Sequence, residues 1–313
     1  MINNIRISVA LCTYNGARYL RDQLDSIINQ SLSADEIIIV DDCSTDESIQ
    51  ILKEYSQHNK AIRIFVNERN LGFLENFSLA ISKTTGDYVA LADQDDIWLE
   101  NHIESLISNI GNNAICVGES ELIDSSGNSI GKTFNELRGN YYIPQGNIQK
   151  AYRIIYNSNP YRGADMLIQR EWVQTFLPIP KEVAFHDTFL SACAALTSGL
   201  AVINDIVSYY RIHEGQVTKG ILKKGLFDEL KRHKHHICYN NKKDMIRIIE
   251  KSDAIIPPEA ESFINEFKTI HELDKNGKRI KALKLLYSHY KLIFSCSSYK
   301  YIFPRVLHFL LAP

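Results

Sequence analysis

Three carboxylates fall within four residues at Asp93-Gln94-Asp95-Asp96, where the apolar run Tyr88-Val89-Ala90-Leu91-Ala92 ends. Like charges this close repel, so the cluster is costly without a cation. Mg2+ and Mn2+ prefer oxygen ligands, and Mg2+ commonly takes one or two carboxylates together with substrate phosphates. The chemistry this points to is a metal–diphosphate site at the end of a buried strand.

Three other constellations carry chemistry. Asp41-Asp42 closes the β-branched run Glu36–Val40. A turn or cap accounts for one of these aspartates more readily than for both. His186-Asp187 opens the apolar-faced segment Thr188–Leu196. An aspartate is ionised at neutral pH unless desolvation raises its pKa strongly, so Asp187 suits a general base. The ordinary alternative is a helix N-cap. Tyr209-Tyr210-Arg211-Ile212-His213 follows a short strand signal. Neutral imidazole is a plausible Mn2+ ligand and arginine suits phosphate, although a lone histidine is more often structural.

Strand and helix signals alternate around these groups. Ile5–Leu11, Glu36–Val40, Ile62–Val66 and Tyr88–Ala92 read as strands. Between them, Leu20, Leu24, Ile27 and Ile28 fall on one helical face, Ile49 and Leu52 on a second, and Leu74, Phe77 and Ile81 on a third. Ser44 with Glu47 reads as a capping box for the second helix. This alternation predicts a largely parallel sheet covered on both faces. Ligands of such sheets collect beyond the carboxyl ends of the strands, where Asp41, Asp42, Asp93 and Asp95 all fall. Further on, Trp98–Ile110 reads as a helix, Ala114–Gly118 and Ala164–Ile168 as strands, and residues 124–150 as loops. Leu200–Ile203 and Ile206–Tyr210 read as two short strands, and Pro257-Pro258 as a linker.

In this order, Val9-Ala10-Leu11-Cys12-Thr13-Tyr14-Asn15, Val40-Asp41-Asp42-Cys43-Ser44-Thr45-Asp46, Asn70-Leu71-Gly72 and Gly86-Asp87-Tyr88 leading into Asp93-Gln94-Asp95-Asp96 resemble a family 2 glycosyltransferase of the inverting GT-A type. The resemblance spans about residues 5–215, and ordered motifs are a stronger signal than any one alone. Asp-Gln-Asp-Asp-Ile-Trp with the later His-Asp and Tyr-Arg-x-His is similar to bacterial rhamnosyltransferase-like members. The fold this implies is α/β, a mainly parallel, Rossmann-like sheet flanked by helices, with a C-terminal helical extension. Residues 1–218 would form the catalytic domain, its nucleotide-sugar half about 1–110 and its acceptor half about 111–218. Residues 219–313 would form a basic, mainly helical region.

The resemblance also implies roles. The donor would be a dTDP- or UDP-linked sugar, held by Ala10, Thr13, Tyr14, Asn15, Asp42, Asn70, Asp93, Gln94 and Arg211. Asp42 would accept the imino N–H of uracil or thymine. The metal, Mn2+ or Mg2+, would sit on Asp95 and His213, with Asp93 near it or the ribose. Asp96 would support or cap. Asp187 would be the base, although relatives more often carry Glu-Asp where this chain has His-Asp; His186 ranks second as base and could orient the acceptor. Trp98, Gly163, Asp165 and His186 would line the acceptor side. A catalytically inactive scaffold and a nucleotidyltransferase are the rival readings. The latter needs a Gly- and Lys/Arg-rich triphosphate loop, and residues 8–22 offer only Gly16, Arg18 and Arg21.

Charge divides the chain unevenly. Residues 1–218 hold 16 Lys and Arg against 27 Asp and Glu, and residues 219–313 hold 19 against 10, so the second part suits an anionic surface. After Asp274 come eight basic residues and no acidic one, interleaved with aromatics such as Tyr287, Tyr290, Phe294 and Phe303. Basic plus aromatic residues fit a membrane-surface helix, with packing on the catalytic domain as the alternative. His233, His235 and His236 read as part of a solvated basic face, and no nucleic-acid motif accompanies the charge. Met1-Ile2-Asn3-Asn4 lacks signal-peptide features, and no apolar run reaches the roughly 18 residues of a membrane span. Six cysteines form no C-x-x-C pair. These features read as a cytoplasmic protein, peripheral on the inner membrane face, and the resemblance implies a lipid-linked glycan as its acceptor.

Overall fold

The computed structural model describes residues 5–137, 144–156, 159–214 and 239–289. The first hundred residues form β1 (Ile7–Thr13), α1 (Leu20–Ile28), β2 (Glu36–Asp41), α2 (Ser48–His58), β3 (Ile62–Val66), α3 (Phe73–Ser82) and β4 (Tyr88–Asp93). Every residue of β1 and β2 is buried, as strands covered on both faces require. Their alternate side chains feed two cores. Val9, Leu11, Ile37 and Ile39 pack with Leu20, Leu24 and Ile27 of α1, whereas Ala10, Ile38 and Val40 pack with Phe77 and Ile81 of α3.

The remaining elements are β5 (Ile97–Trp98), α4 (His102–Asn109), β6 (Ile115–Ile123), β7 (Ser129–Thr133), α5 (Phe134–Leu137), α6 (Asn147–Tyr156), β8 (Met166–Gln169), α7 (Arg170–Gln174), α8 (His186–Leu196), β9 (Leu200–Arg211), α9 (Tyr239–Lys251), α10 (Pro258–Lys275) and α11 (Arg279–Ser288). One sheet runs β3-β2-β1-β4-β8-β6-β9-β5, with β7 on the side of β6. This is the α/β architecture the sequence implies. The β3-β2-β1-β4 half is wholly parallel. Beyond it the sheet is mixed: β8 lies antiparallel to both β4 and β6, while β9 returns parallel to β6.

Four local expectations are corrected. Ile97 and Trp98 do not begin a helix; they pair with Tyr209 and Ser208 of β9, and α4 starts at His102. The two strands expected over 200–210 are one, β9, whose polar Asn204 and Asp205 sit where its register with β6 shifts. The Ser44–Glu47 box is absent: Ser44 bonds back to Asp41, and the Ser48 N–H is met by Asp46 Oδ1 at 3.0 Å. Pro257-Pro258 starts α10, a position where a missing N–H costs nothing.

The C-terminal helices pack on the second core. Met245, Ile249, Phe263 and Phe267 join Ala151, Ile155, Phe189 and Leu190 in one apolar cluster. Residues 215–238, with His233, His235 and His236, and residues 290–313 lie outside the described residues. Among the described residues no helix is long and apolar enough to cross a membrane.

His102 lies face to face with Trp98, ring centroids 3.9 Å apart, and its Nδ1 meets the Val207 carbonyl at 2.9 Å. Burial pushes its pKa down to about 4. The unfolded chain therefore binds a proton that the folded chain refuses. Stability supplied by neutral His102 is complete above about pH 6.5 and is lost as pH falls toward about 4, up to about 3 kcal/mol. Urea midpoints measured between pH 7 and pH 4 should fall, and His102→Gln should flatten that slope.

Candidate active site

The register of the parallel strands builds the site. Cys12 lies opposite Asp93, and Thr13 opposite Asp41, so the ends of β1, β2 and β4 form one edge. Beyond this edge the chain must turn into helices, and the turns hold one another. Gln94 Oε1 accepts from the Thr13 hydroxyl and the Tyr14 N–H, both at 2.8 Å, and its Nε2 donates to the Tyr14 carbonyl. A Cβ on Gly16 would fall 2.1 Å from Gln94 Oε1, which explains a glycine there. Asn15 accepts from the Thr45 N–H and donates its own N–H to Ser44. Of the residues expected around the nucleotide, Tyr14 and Asn70 are exposed, Thr13 is buried at the strand end, and the Ala10 side chain lies in the core. Gln94 belongs to this edge as a clamp between two turns.

Asp41 and Asp42 divide the work. Asp41 takes the Ser44 N–H and hydroxyl and thus shapes the turn. Asp42 is buried, and its carboxylate accepts from Asn67 Nδ2, Leu71 N–H and Gly72 N–H, each at 2.8 Å. It ties the Asn70-Leu71-Gly72 turn over the edge. A carboxylate has about four lone-pair positions, so one acceptor position on Oδ2 stays available to a ring N–H.

The carboxylate cluster separates into three environments. Asp96 is fully buried, paired with Arg162 Nη2, and accepts the Arg211 N–H at 3.3 Å. It neither caps α4 nor faces solvent. Burial pushes its carboxyl up to about 7 against the pull of Arg162. Asp93 closes β4 with its side chain 41% exposed and 4.0 Å from Arg162 Nη2, and its carboxyl is raised by desolvation, a cause that its exposure weakens, and then by Asp96 and Asp95. Asp95 reaches His213, its Oδ2 lying 2.8 Å from Nε2. The β5–β9 pairing produces this approach, because it lays the end of β9 along the segment just before Ile97.

Arg162 opens the segment Arg162-Gly163-Ala164-Asp165, and the sequence assigned it no role of its own. It lies beneath the cluster, with Nη1 donating to the Ser120 hydroxyl at 2.8 Å, Asp165 at 3.4 Å, and its guanidinium 3.9 Å from the Tyr210 ring centroid. Its only sequence signal was a basic residue near Asp165. Arg211, expected on the diphosphate, is instead buried. It donates from Nε to the Asp95 carbonyl, pairs with Asp22 at 2.8 Å, and lies over the Tyr19 ring. It fixes the backbone that carries Asp95.

On the acceptor side two expectations are corrected. Asp165 is buried, and both its oxygens are taken by the Ser120 and Ser208 hydroxyls, so it is a strut under the site. Trp98 is 3% exposed and belongs to the core. Asp187 stands in the first turn of α8, after the N-cap residue Phe185, and its Oδ1 accepts the Thr188 N–H. Its charge is the last of the causes that raise the Asp93 carboxyl, after burial, Asp96, Asp95 and the opposing Arg162. His186 is buried against Phe77, ring centroids 4.2 Å apart, and Gly163 leaves room for its ring: a Cβ there would meet Nε2 at 2.4 Å. Burial lowers its pKa, and neither ring nitrogen has a hydrogen-bond partner among the described residues.

Among the described residues no three His, Cys, Asp or Glu side chains form a ready-made metal cluster. Asp93 is therefore not gathered with Asp95 and His213 as a third ligand. The Asp95–His213 pair supplies one oxygen and one nitrogen, and a metal would displace the proton they share. Such a pair fits Mn2+ or Mg2+ whose other positions are filled by phosphate oxygens and water.

The arrangement of a parallel nucleotide-type half, an acidic strand end and a facing helical carboxylate defines a GT-A architecture. The family model of glycosyl transferase family 2 matches residues 8–174, and the chain belongs to that family. An uncharacterized glycosyltransferase of Haemophilus influenzae is 25% identical over 226 residues, 71% of this chain and 85% of that one. Another from the same organism is 36% identical over 107 residues, 34% of this chain and 33% of that one. TuaG of Bacillus subtilis, provisionally described as a teichuronic acid biosynthesis glycosyltransferase, is 37% identical over 98 residues, 31% of this chain and 39% of that one. The chain thus spans between a third and two fifths of the length of these last two relatives. The fold is shared with the mannosyltransferase PcManGT of Pyrobaculum calidifontis, solved with GDP-Man and Mn2+, at TM-score 0.58 and 18% identity over 98% of this chain and 85% of that one. It is shared also with S. aureus TarS 1–349, solved with UDP-GlcNAc, at TM-score 0.57 and 18% identity over 92% and 82%.

Proposed function

We propose that this chain is an inverting glycosyltransferase. It moves a sugar from a nucleoside-diphosphate donor, dTDP-rhamnose or a UDP-hexose, to a hydroxyl of a lipid-linked glycan in bacterial surface polysaccharide synthesis. The observation that supports the reading is the Asp95–His213 contact beyond the end of β4, with Asp187 in the first turn of α8 available as the base. Asp187 takes the proton from the acceptor hydroxyl as its oxygen attacks the anomeric carbon. The nucleoside diphosphate leaves from the opposite face, so one displacement inverts the configuration. Asp42 offers its free acceptor position to the base, and the clamped turns at Thr13 and Gln94 hold the nucleoside side. Arg211 fixes the backbone of Asp95, and Arg162 fixes Asp96. A divalent ion on Asp95 and His213 would neutralise charge on the departing diphosphate.

The ligands named for PcManGT and TarS, and the pathway named for TuaG, support a nucleotide-sugar donor and a polysaccharide product. A seat on the anionic inner membrane face is supported by α11, where Ile280 is 69% exposed and Leu285 is exposed beside Lys281 and Lys284.

The test is a thermal-shift screen of nucleotide sugars with and without Mn2+. A bound donor raises the melting temperature by mass action. We expect one donor class to do so, with the shift lost in chelator and in Asp95→Asn. A panel in which no nucleotide sugar moves the melting point overturns the donor assignment; a shift indifferent to chelator overturns the metal.

A further inference from the structure

We propose that Phe73 and Phe185 form the shelf on which the acceptor sugar stacks beside Asp187. The inference deepens the glycosyltransferase reading and rests on it. Phe185 is the N-cap residue of α8, two positions before Asp187, and its large apolar ring is 37% exposed. Phe73 begins α3, directly after Gly72, whose N–H Asp42 holds. The two rings form a stacked pair, centroids 6.0 Å apart with planes 29° from parallel. Underneath, His186 lies 6.2 Å from Phe73 and 4.2 Å from Phe77, so the shelf rests on a packed aromatic layer. It is also braced from outside. The Ile179 N–H donates to Ser78 of α3 at 2.8 Å, and Lys181 pairs with Glu75. These contacts join the helix of the donor half to the segment that leads into Asp187.

The chemistry selects the occupant. A pyranose has a polar edge of hydroxyls and a face of C–H bonds. Aromatic rings carry negative faces that attract the positive ends of such bonds. An acceptor lying flat on Phe185 would sit at the N-terminus of α8, whose first turn carries Asp187. An anionic group would gain nothing from the negative ring faces, and the exposed Phe185 ring costs solvation while it is uncovered. Phe73 and Phe185 therefore select an acceptor whose terminal residue presents an unbroken C–H face.

Saturation-transfer NMR tests this with methyl β-D-glucopyranoside, methyl β-D-galactopyranoside and methyl α-L-rhamnopyranoside, each in the presence of Mg2+ and UDP or dTDP. In the wild type, saturation should be greatest on the ring C–H protons of at least one glycoside. Phe185→Ala and Phe73→Ala should weaken glycoside binding about five- to tenfold, the loss of one stacking contact. Phe185→Leu, which keeps apolar volume without a π face, should lie nearer Ala than the wild type. Nucleotide affinity should be unchanged in all three. If glycoside binding survives in Phe185→Ala, or if nucleotide affinity falls in its place, the shelf proposal is wrong. Wild type that binds nucleotide but none of the glycosides overturns the shelf alone. Wild type that binds no nucleotide overturns the glycosyltransferase reading beneath it.

Discussion

Asp187→Asn lowers the rate of sugar transfer by about 10²- to 10⁴-fold, the usual contribution of a positioned general base, and leaves donor affinity within a few fold of the wild type. The prediction is sharp because the substitution barely disturbs the fold. Asp187 accepts from the N–H and hydroxyl of Thr188 through Oδ1, and an asparagine carbonyl can keep both bonds. Only the charge and the proton-accepting lone pair are lost. The competing base, His186, is answered by the same experiment. Its ring is packed against Phe77 and Gly163, with no hydrogen-bond partner among the described residues. His186→Gln should therefore change transfer far less than Asp187→Asn. Transfer near the wild-type rate in Asp187→Asn, or a greater loss in His186→Gln, would assign the base wrongly here.

Arg162→Met is the second large effect, and it is one of stability. Arg162 and Asp96 are 8% and 0% exposed, and Asp165 is 1% exposed. Burial works against the Arg162 charge, but Asp96 and then Asp165 hold its pKa well above the ordinary value. Removing the guanidinium strands two carboxylates in a dry interior and leaves the Ser120 hydroxyl one bond short. Breaking a buried pair this way costs about 3–5 kcal/mol. Arg162→Lys should recover only part of this, since an ammonium lacks the fork that reaches Asp96 from one nitrogen and Ser120 from the other. Adding Asp96→Asn to Arg162→Met should return some of the loss, a coupling that a double-mutant cycle in urea measures. An Arg162→Met midpoint equal to that of the wild type would mean that the carboxylates had found water or another partner.

Much of the N-terminal parallel half was legible in the chain. The strands Glu36–Val40 and Tyr88–Ala92 are continuous apolar runs ending in aspartates, and in a parallel sheet such ends must share one edge. The period of Leu20, Leu24 and Ile27 likewise set the buried face of α1. Beyond residue 97 the strands near 115 and 166 and the helix near 188 were legible too, but the pattern failed at Trp98 for a physical reason. Ile97-Trp98 has the apolar look of a helix start, and its strand character comes wholly from pairing with Tyr209 and Ser208, over a hundred residues away. The same contact decides that Asp95 meets His213. Arg162 gave no pattern at all, because a buried ion pair is defined by partners scattered between Asp96 and Tyr210.

By itself, the sequence determined the alternation of strand and helix, the acidic strand ends and the carboxylate that opens α8, since these depend on local periodicity and residue type. The tertiary structure alone decided the roles within each cluster. Asp41 shapes a turn while Asp42 keeps an acceptor free. Asp96 is buried on Arg162, Asp95 faces His213, and Asp165 and Trp98 withdraw into the interior. Charge and hydrophobicity mark a residue as capable of chemistry. Burial and the hydrogen bonds already spent on neighbours determine whether any of that capacity is left for a ligand.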